Sequence, residues 1–209
     1  MSQPTLYYVH DPMCSWCYAF RENWHVITKH FAGQLEFVRL LGGLAPDSDT
    51  PMDEATQKMV QRSWRRIEES VPGIHFNFDF WLLNQPRRST YPSCRAVIAA
   101  RELGGEAYDL KMTYAIQDGY YQQAKNPSNN DQLTTLAESL GLNGPEFSSS
   151  LESAKTEQQL QQEIAQARSM GADSYPSLVL QINEQTRWPI AINYQNVSEV
   201  IATIEMCLE

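Results

Sequence analysis

Positive charge is scarce in this chain. Its 209 residues hold 16 lysines and arginines against 25 aspartates and glutamates, for a formal net charge of −9, and no basic run occurs. Nucleic-acid binding, which draws much of its affinity from lysine and arginine set against phosphates, therefore has no footprint here. Long apolar runs are missing too: nothing approaches the ~20 residues of a membrane span. The first residues, Met1-Ser2-Gln3-Pro4-Thr5, lack the basic and apolar regions of a secretory signal. The expectation is a cytoplasmic protein that binds neither membrane nor nucleic acid. Cysteine is rare, with four in the whole chain, which is too few for a disulfide-built scaffold. No internal repeat or low-complexity tract appears. At 42% hydrophobic residues, the chain can bury a core as one domain, or as one domain carrying an insertion.

Two of the four cysteines stand together in Asp11-Pro12-Met13-Cys14-Ser15-Trp16-Cys17-Tyr18-Ala19-Phe20, directly after the apolar run Leu6-Tyr7-Tyr8-Val9. A Cys-x-x-Cys between a strand and a helix is the pattern of a thioredoxin-like redox site. A helix starting near Cys14 turns its free N–H groups and positive dipole end toward the first sulfur, which favours thiolate. Cys17 lies one turn on, close enough to form a disulfide with Cys14. The reading makes Cys14 the nucleophile and Cys17 the resolving thiol. Half of a zinc site is the rival, but structural zinc wants four ligands and Cys94 and Cys207 stand alone. An inert disulfide is the other rival, and a reducing compartment disfavours it. No metal is expected.

Thr5 to His10 reads as a buried strand, Cys14 to Phe31 as a helix, and Leu35 to Leu41 as a second strand, together a right-handed βαβ unit. Such a unit places the Cys-x-x-Cys loop at the carboxyl end of the first strand, where open α/β sheets hold ligands. From Pro46 to about Thr156 helical patterns dominate. Pro51 to Ser70 is predicted helical with Pro51 at its first position and Met59, Trp64 and Ile67 inward. Gly73 to Leu83 alternates like a strand but equally fits an aromatic loop packed on helices. Thr156 to Met170 is an amphipathic helix with Gly171 as its stop. A strand at Leu178–Ile182, a second at Trp188–Tyr194 whose Pro189 suggests a sheet edge, and a helix at Val197–Leu208 capped by Asn196 close the chain. The expected architecture is α/β: a four-stranded mixed sheet from residues 1–45 and 156–209, with a helical domain, residues 46–155, inserted.

This organisation resembles the DsbA-like branch of the thioredoxin superfamily, and within it the FrnE-like group that carries Asp-Pro-x-Cys-x-Trp-Cys. The likeness covers essentially the whole chain. Its specific parts are Asp11 to Cys17, the segment Ser89-Thr90-Tyr91-Pro92-Ser93-Cys94-Arg95-Ala96, and Tyr175-Pro176. The resemblance implies a thioredoxin fold with an all-helical insertion. It also implies a protein disulfide oxidoreductase or isomerase that needs no cofactor beyond its redox-active disulfide, with glutathione as a possible redox partner. Pro176 would be the cis-proline facing the disulfide, and Tyr175 would offer its backbone to an extended substrate strand. Tyr175 replaces the small or β-branched residue common there in secreted oxidases. The same fold hosts kappa-class glutathione transferases and 2-hydroxychromene-2-carboxylate isomerases, which keep a serine where Cys14 stands. Both thiols are present here, favouring disulfide exchange.

Four further residues carry expectations. Asp11 is either a turn former or an acid–base group for Cys17. Trp16 either contacts substrate beside the sulfurs or covers apolar surface. Cys94 falls at a helix start, which would lower its pKa, yet free cysteines are commonly buried and inert. His10 adjoins the motif. Partners are expected to be protein thiols and disulfides or glutathione, and the protein a monomer or homodimer.

Overall fold

The computed structural model describes residues 3–209. Strand β1 (Thr5–His10), helix α1 (Ser15–His30) and strand β2 (Glu36–Leu41) open the chain. β1 and β2 run parallel, paired from Thr5 with Glu36 to His10 with Leu41. Strand β3 (Ser177–Gln181) lies antiparallel on the other edge of β1, and β4 (Arg187–Ile190) lies antiparallel on β3. The result is a four-stranded mixed sheet of order β2-β1-β3-β4. Helix α9 (Val197–Leu208) ends the chain. Between β2 and β3 the chain is helical: α2 (Glu54–Ser70), α3 (Phe80–Leu83), α4 (Tyr91–Gly104), α5 (Ala107–Tyr121), α6 (Asn130–Ser139), α7 (Gly144–Leu151) and α8 (Ala154–Ser169). This is a thioredoxin fold carrying a helical insertion.

The central strand explains itself from its residues. Leu6 and Tyr8 point to one face, against Phe20, Trp24 and Ile27 of α1 and Val200 and Ile204 of α9. Val9 points to the other, against Leu40, Ala167 and Val179. A strand covered on both faces shows a continuous apolar run instead of alternation. Pro189 sits on β4, the edge strand, where its missing N–H costs no ladder bond. Among the described residues no helix is long and apolar enough to cross a membrane.

Several boundaries differ from the sequence expectation. Of the two readings of Gly73 to Leu83, the structure takes the aromatic loop packed on helices, and the alternation of Ile74, Phe76, Phe78 and Phe80 forms no strand. The rings of Phe76, Phe78 and Phe80 surround Trp64, their centroids 5.0, 5.6 and 6.1 Å from its own, so a buried indole gathers them in place of a neighbouring strand. Helix α2 begins at Glu54, not at Pro51. Asp53 caps it, accepting from the Thr56 N–H at 2.8 Å. Met59 on that helix is 49% exposed, so only Trp64 and Ile67 of the expected face are buried. β4 stops at Ile190 because Asn193 Oδ1 accepts from the N–H groups of Gln195 and Asn196, turning the chain out of the sheet.

Candidate active site

The turn from β1 to α1 carries the thiols. The Cys14 N–H donates to the Asp11 carbonyl at 3.0 Å, and the Tyr18 N–H donates to the Cys14 carbonyl at 3.0 Å. Cys14 is thus the N-cap of α1, with extended backbone (φ −81°, ψ 116°) and no side-chain cap bond. The first-turn N–H groups stay open beside its sulfur. Cys14 is 7% exposed and Cys17 fully buried; both are free thiols. Burial first, then the neighbouring Cys14, pushes the Cys17 thiol well up, while a hydrogen bond from the Asp11 backbone acts the other way. Across from them the Tyr175–Pro176 peptide is cis, and the Cys14 thiol donates to the Tyr175 carbonyl, Sγ to O 3.4 Å. Sequence positions 161 residues apart are joined at that contact.

Asp11 anchors the floor of the site. Its Oδ1 accepts from the Met13 N–H at 2.8 Å, the turn-forming bond. Its Oδ2 accepts from the Leu44 N–H at 2.7 Å, the Thr90 hydroxyl at 2.6 Å and the Cys94 thiol at 3.5 Å. Burial holds the carboxyl above the usual carboxylate range, opposed by these same hydrogen bonds. Helix α4 starts at Tyr91, earlier than expected, so Cys94 is its fourth residue, its N–H donating to the Thr90 carbonyl at 3.1 Å, and its side chain is wholly buried against a carboxylate. Burial and then Asp11 push its thiol well up, opposite to what a helix start alone implies. Trp16 is half-buried, its ring 4.8 Å from that of Tyr194. Among the described residues no group of three or more His, Cys, Asp or Glu side chains is placed to hold a metal.

Thr90 and Leu44 escaped the residue-by-residue reading, although Thr90 lies in the segment that carried the resemblance. Nothing local marks them, since their contact with Asp11 spans 79 and 33 residues. His10 is fully buried, its ring stacked on Tyr8 at 4.9 Å. Neither ring nitrogen has a hydrogen-bond partner among the described residues. Burial lowers its pKa to about 4; Asp109 opposes this, while Arg39 and Arg101 add to it. The unfolded imidazole, with its ordinary value near 6.5, then takes up a proton that the folded one refuses. His10 therefore favours the fold above pH 6.5, and that contribution drains away between about 6.5 and 4. The expected loss is roughly 3 kcal/mol. Urea unfolding of His10→Phe across that range should lack this limb, the difference from wild type isolating it from the carboxylates. Parallel pH profiles would contradict a buried neutral imidazole.

The family model described as thioredoxin matches residues 7–201, and the chain belongs to the thioredoxin family, with the DsbA-like arrangement of sheet and helical insertion. A structure from Nitrosomonas europaea, described as a candidate protein disulfide isomerase, superposes with a TM-score of 0.85 at 23% identity, covering 99% of this chain and 98% of that one. The cytosolic disulfide reductase DsbM from Pseudomonas aeruginosa superposes with a TM-score of 0.75 at 23% identity, over 98% of each chain. The latter protein has also been solved with GSH. The ClpXP adapter protein SpxH of Halalkalibacterium halodurans is 26% identical over 179 residues, 81% of this chain. The chain spans 56% of the length of that relative.

Proposed function

We propose that this protein is a thiol–disulfide oxidoreductase working through Cys14 and Cys17, with glutathione or protein thiols as exchange partners. The observation that carries this is the Cys14 sulfur, slightly exposed at the open N-terminus of α1 and set against the backbone of Tyr175. Acting on a disulfide, the Cys14 thiolate attacks one sulfur and the second leaves as a thiolate. Cys17 then attacks the Cys14 sulfur, releasing the remaining substrate thiol and leaving a Cys14–Cys17 disulfide. Read backwards, the same steps oxidise a substrate dithiol. Asp11, buried with its carboxyl pKa raised by that burial and within electrostatic reach of Cys17, suits the proton acceptor for that second attack. Trp16 and the Tyr175-Pro176 loop present the surface on which substrate lies. The resemblance to the FrnE-like group and the cytosolic DsbM neighbour support a cytoplasmic setting. There, reduction or isomerisation is the direction favoured.

The test is to equilibrate the protein in mixtures of glutathione and its disulfide, then map the cysteines by mass. A reversible Cys14–Cys17 disulfide is expected. The rival reading is a glutathione-dependent isomerase or transferase. It predicts no such disulfide, together with turnover of small aromatic substrates that survives Cys17→Ser.

A further inference from the structure

The residue before Pro176 is held from both ends. Its carbonyl accepts from the Cys14 thiol at 3.4 Å, and its phenol donates to the carbonyl of Gly42 at 2.6 Å. Gly42 follows β2, tied to the sheet by its N–H on the His10 carbonyl at 2.7 Å. The Tyr175 ring rests on that glycine so closely that a Cβ there would stand 2.0 Å from a ring carbon. Gly42 does not adopt a left-handed backbone, so what the position requires is the missing side chain. Burial raises the phenol to about 12, keeping it a hydrogen-bond donor at neutral pH. Two residues on, the Leu44 N–H binds Asp11, so this one loop touches both the floor and the wall of the thiol site.

Resting on the oxidoreductase reading, we propose that Gly42 is a positioning residue. It seats the Tyr175 ring and anchors its hydroxyl, and so holds the Tyr175 carbonyl where the Cys14 thiol can donate to it. The consequence is chemical. Cys14 has a proton to give that carbonyl only as a thiol; as the attacking thiolate, or in a disulfide, it has none, so the clamp acts on the protonated dithiol. The clamp therefore favours the dithiol in the exchange of enzyme disulfide and two glutathiones for enzyme dithiol and glutathione disulfide. A free Tyr175 side chain would let the carbonyl drift and surrender that preference.

The experiment measures this exchange constant for wild type, Tyr175→Phe and Gly42→Ala, with thermal unfolding alongside. Tyr175→Phe keeps the ring on Gly42 but loses the anchor. Its constant should move toward the disulfide by about two- to fivefold, the scale of one modest hydrogen bond. Gly42→Ala should move it the same way and at least as far, because the ring is displaced. A purely structural role would lower the unfolding midpoint and leave the constant untouched. An unchanged constant in Tyr175→Phe, or a shift toward the dithiol, overturns the proposal. That variant decides alone should Gly42→Ala not fold. A wild-type protein that forms no reversible disulfide brings down the oxidoreductase reading and this inference with it, an outcome distinct from an unchanged variant.

Discussion

Cys14→Ser is expected to lower disulfide exchange by at least roughly a thousandfold, the scale on which removal of a nucleophile acts, while the protein folds as before. Serine fills nearly the same space at the N-cap of α1 and is among the residues preferred there, so the helix loses nothing. What vanishes is the sulfur, the atom that must attack and be attacked. Cys17→Ser should differ in kind. Its first attack survives, because Cys14 keeps its place at the helix end and against Tyr175. The second attack has no nucleophile, so a mixed disulfide on Cys14 accumulates and is visible by mass. The asymmetry comes from exposure and proton affinity: Cys14 is 7% exposed and Cys17 0%, and burial pushes the Cys17 thiol up. Equal trapping of substrate on Cys17 in the Cys14→Ser protein would reverse the assigned roles.

What the sequence discloses follows from how local each feature is. The Cys-x-x-Cys, its strand and its helix are encoded within about 26 residues of contiguous pattern, from Thr5 to His30. Hydrophobic periodicity reads such segments directly. The closing helix is equally local: Asn196 accepts from the Ser198 N–H, a cap visible two residues away in sequence. The aromatic stretch leading into α3 leaves the same method undecided between strand and loop. Its period of two reflects rings folded around Trp64, a partner on α2 that no window over residues 73–83 contains. The floor of the site is legible only in part. Asp11 declares itself by preceding Pro12, but its ties to Thr90 and Leu44 need the fold. Gly42 is the extreme case: a glycine after a strand looks like a stop, and only the Tyr175 ring lying on it gives it another meaning.

Asp109→Ala is expected to remove about 3–5 kcal/mol of stability, the cost of breaking a buried ion pair from one side. Asp109 sits on α5 with its side chain 1% exposed, and it accepts from Arg39 of β2 at 2.5 Å and from Arg101 of α4 at 3.1 Å. Arg101 also pairs with Glu163 of α8, whose other oxygen accepts from the Leu41 N–H at 2.9 Å. One carboxylate therefore ties the edge of the sheet to the inserted helices. Without it, two guanidinium groups share a poorly solvated space with a single remaining anion. In a domain of this size the unfolding midpoint should fall by roughly 10 °C. Lys58→Ala, which breaks the exposed i,i+4 pair with Glu54, should cost less than about 0.5 kcal/mol. The glutathione exchange constant of Asp109→Ala should stay near wild type, because Glu163 still holds the Leu41 N–H and Gly42 keeps its own bond to His10. A stability loss under about 1 kcal/mol would mean that water already shields the two arginines, and that Asp109 adds little to what holds the insertion to the sheet.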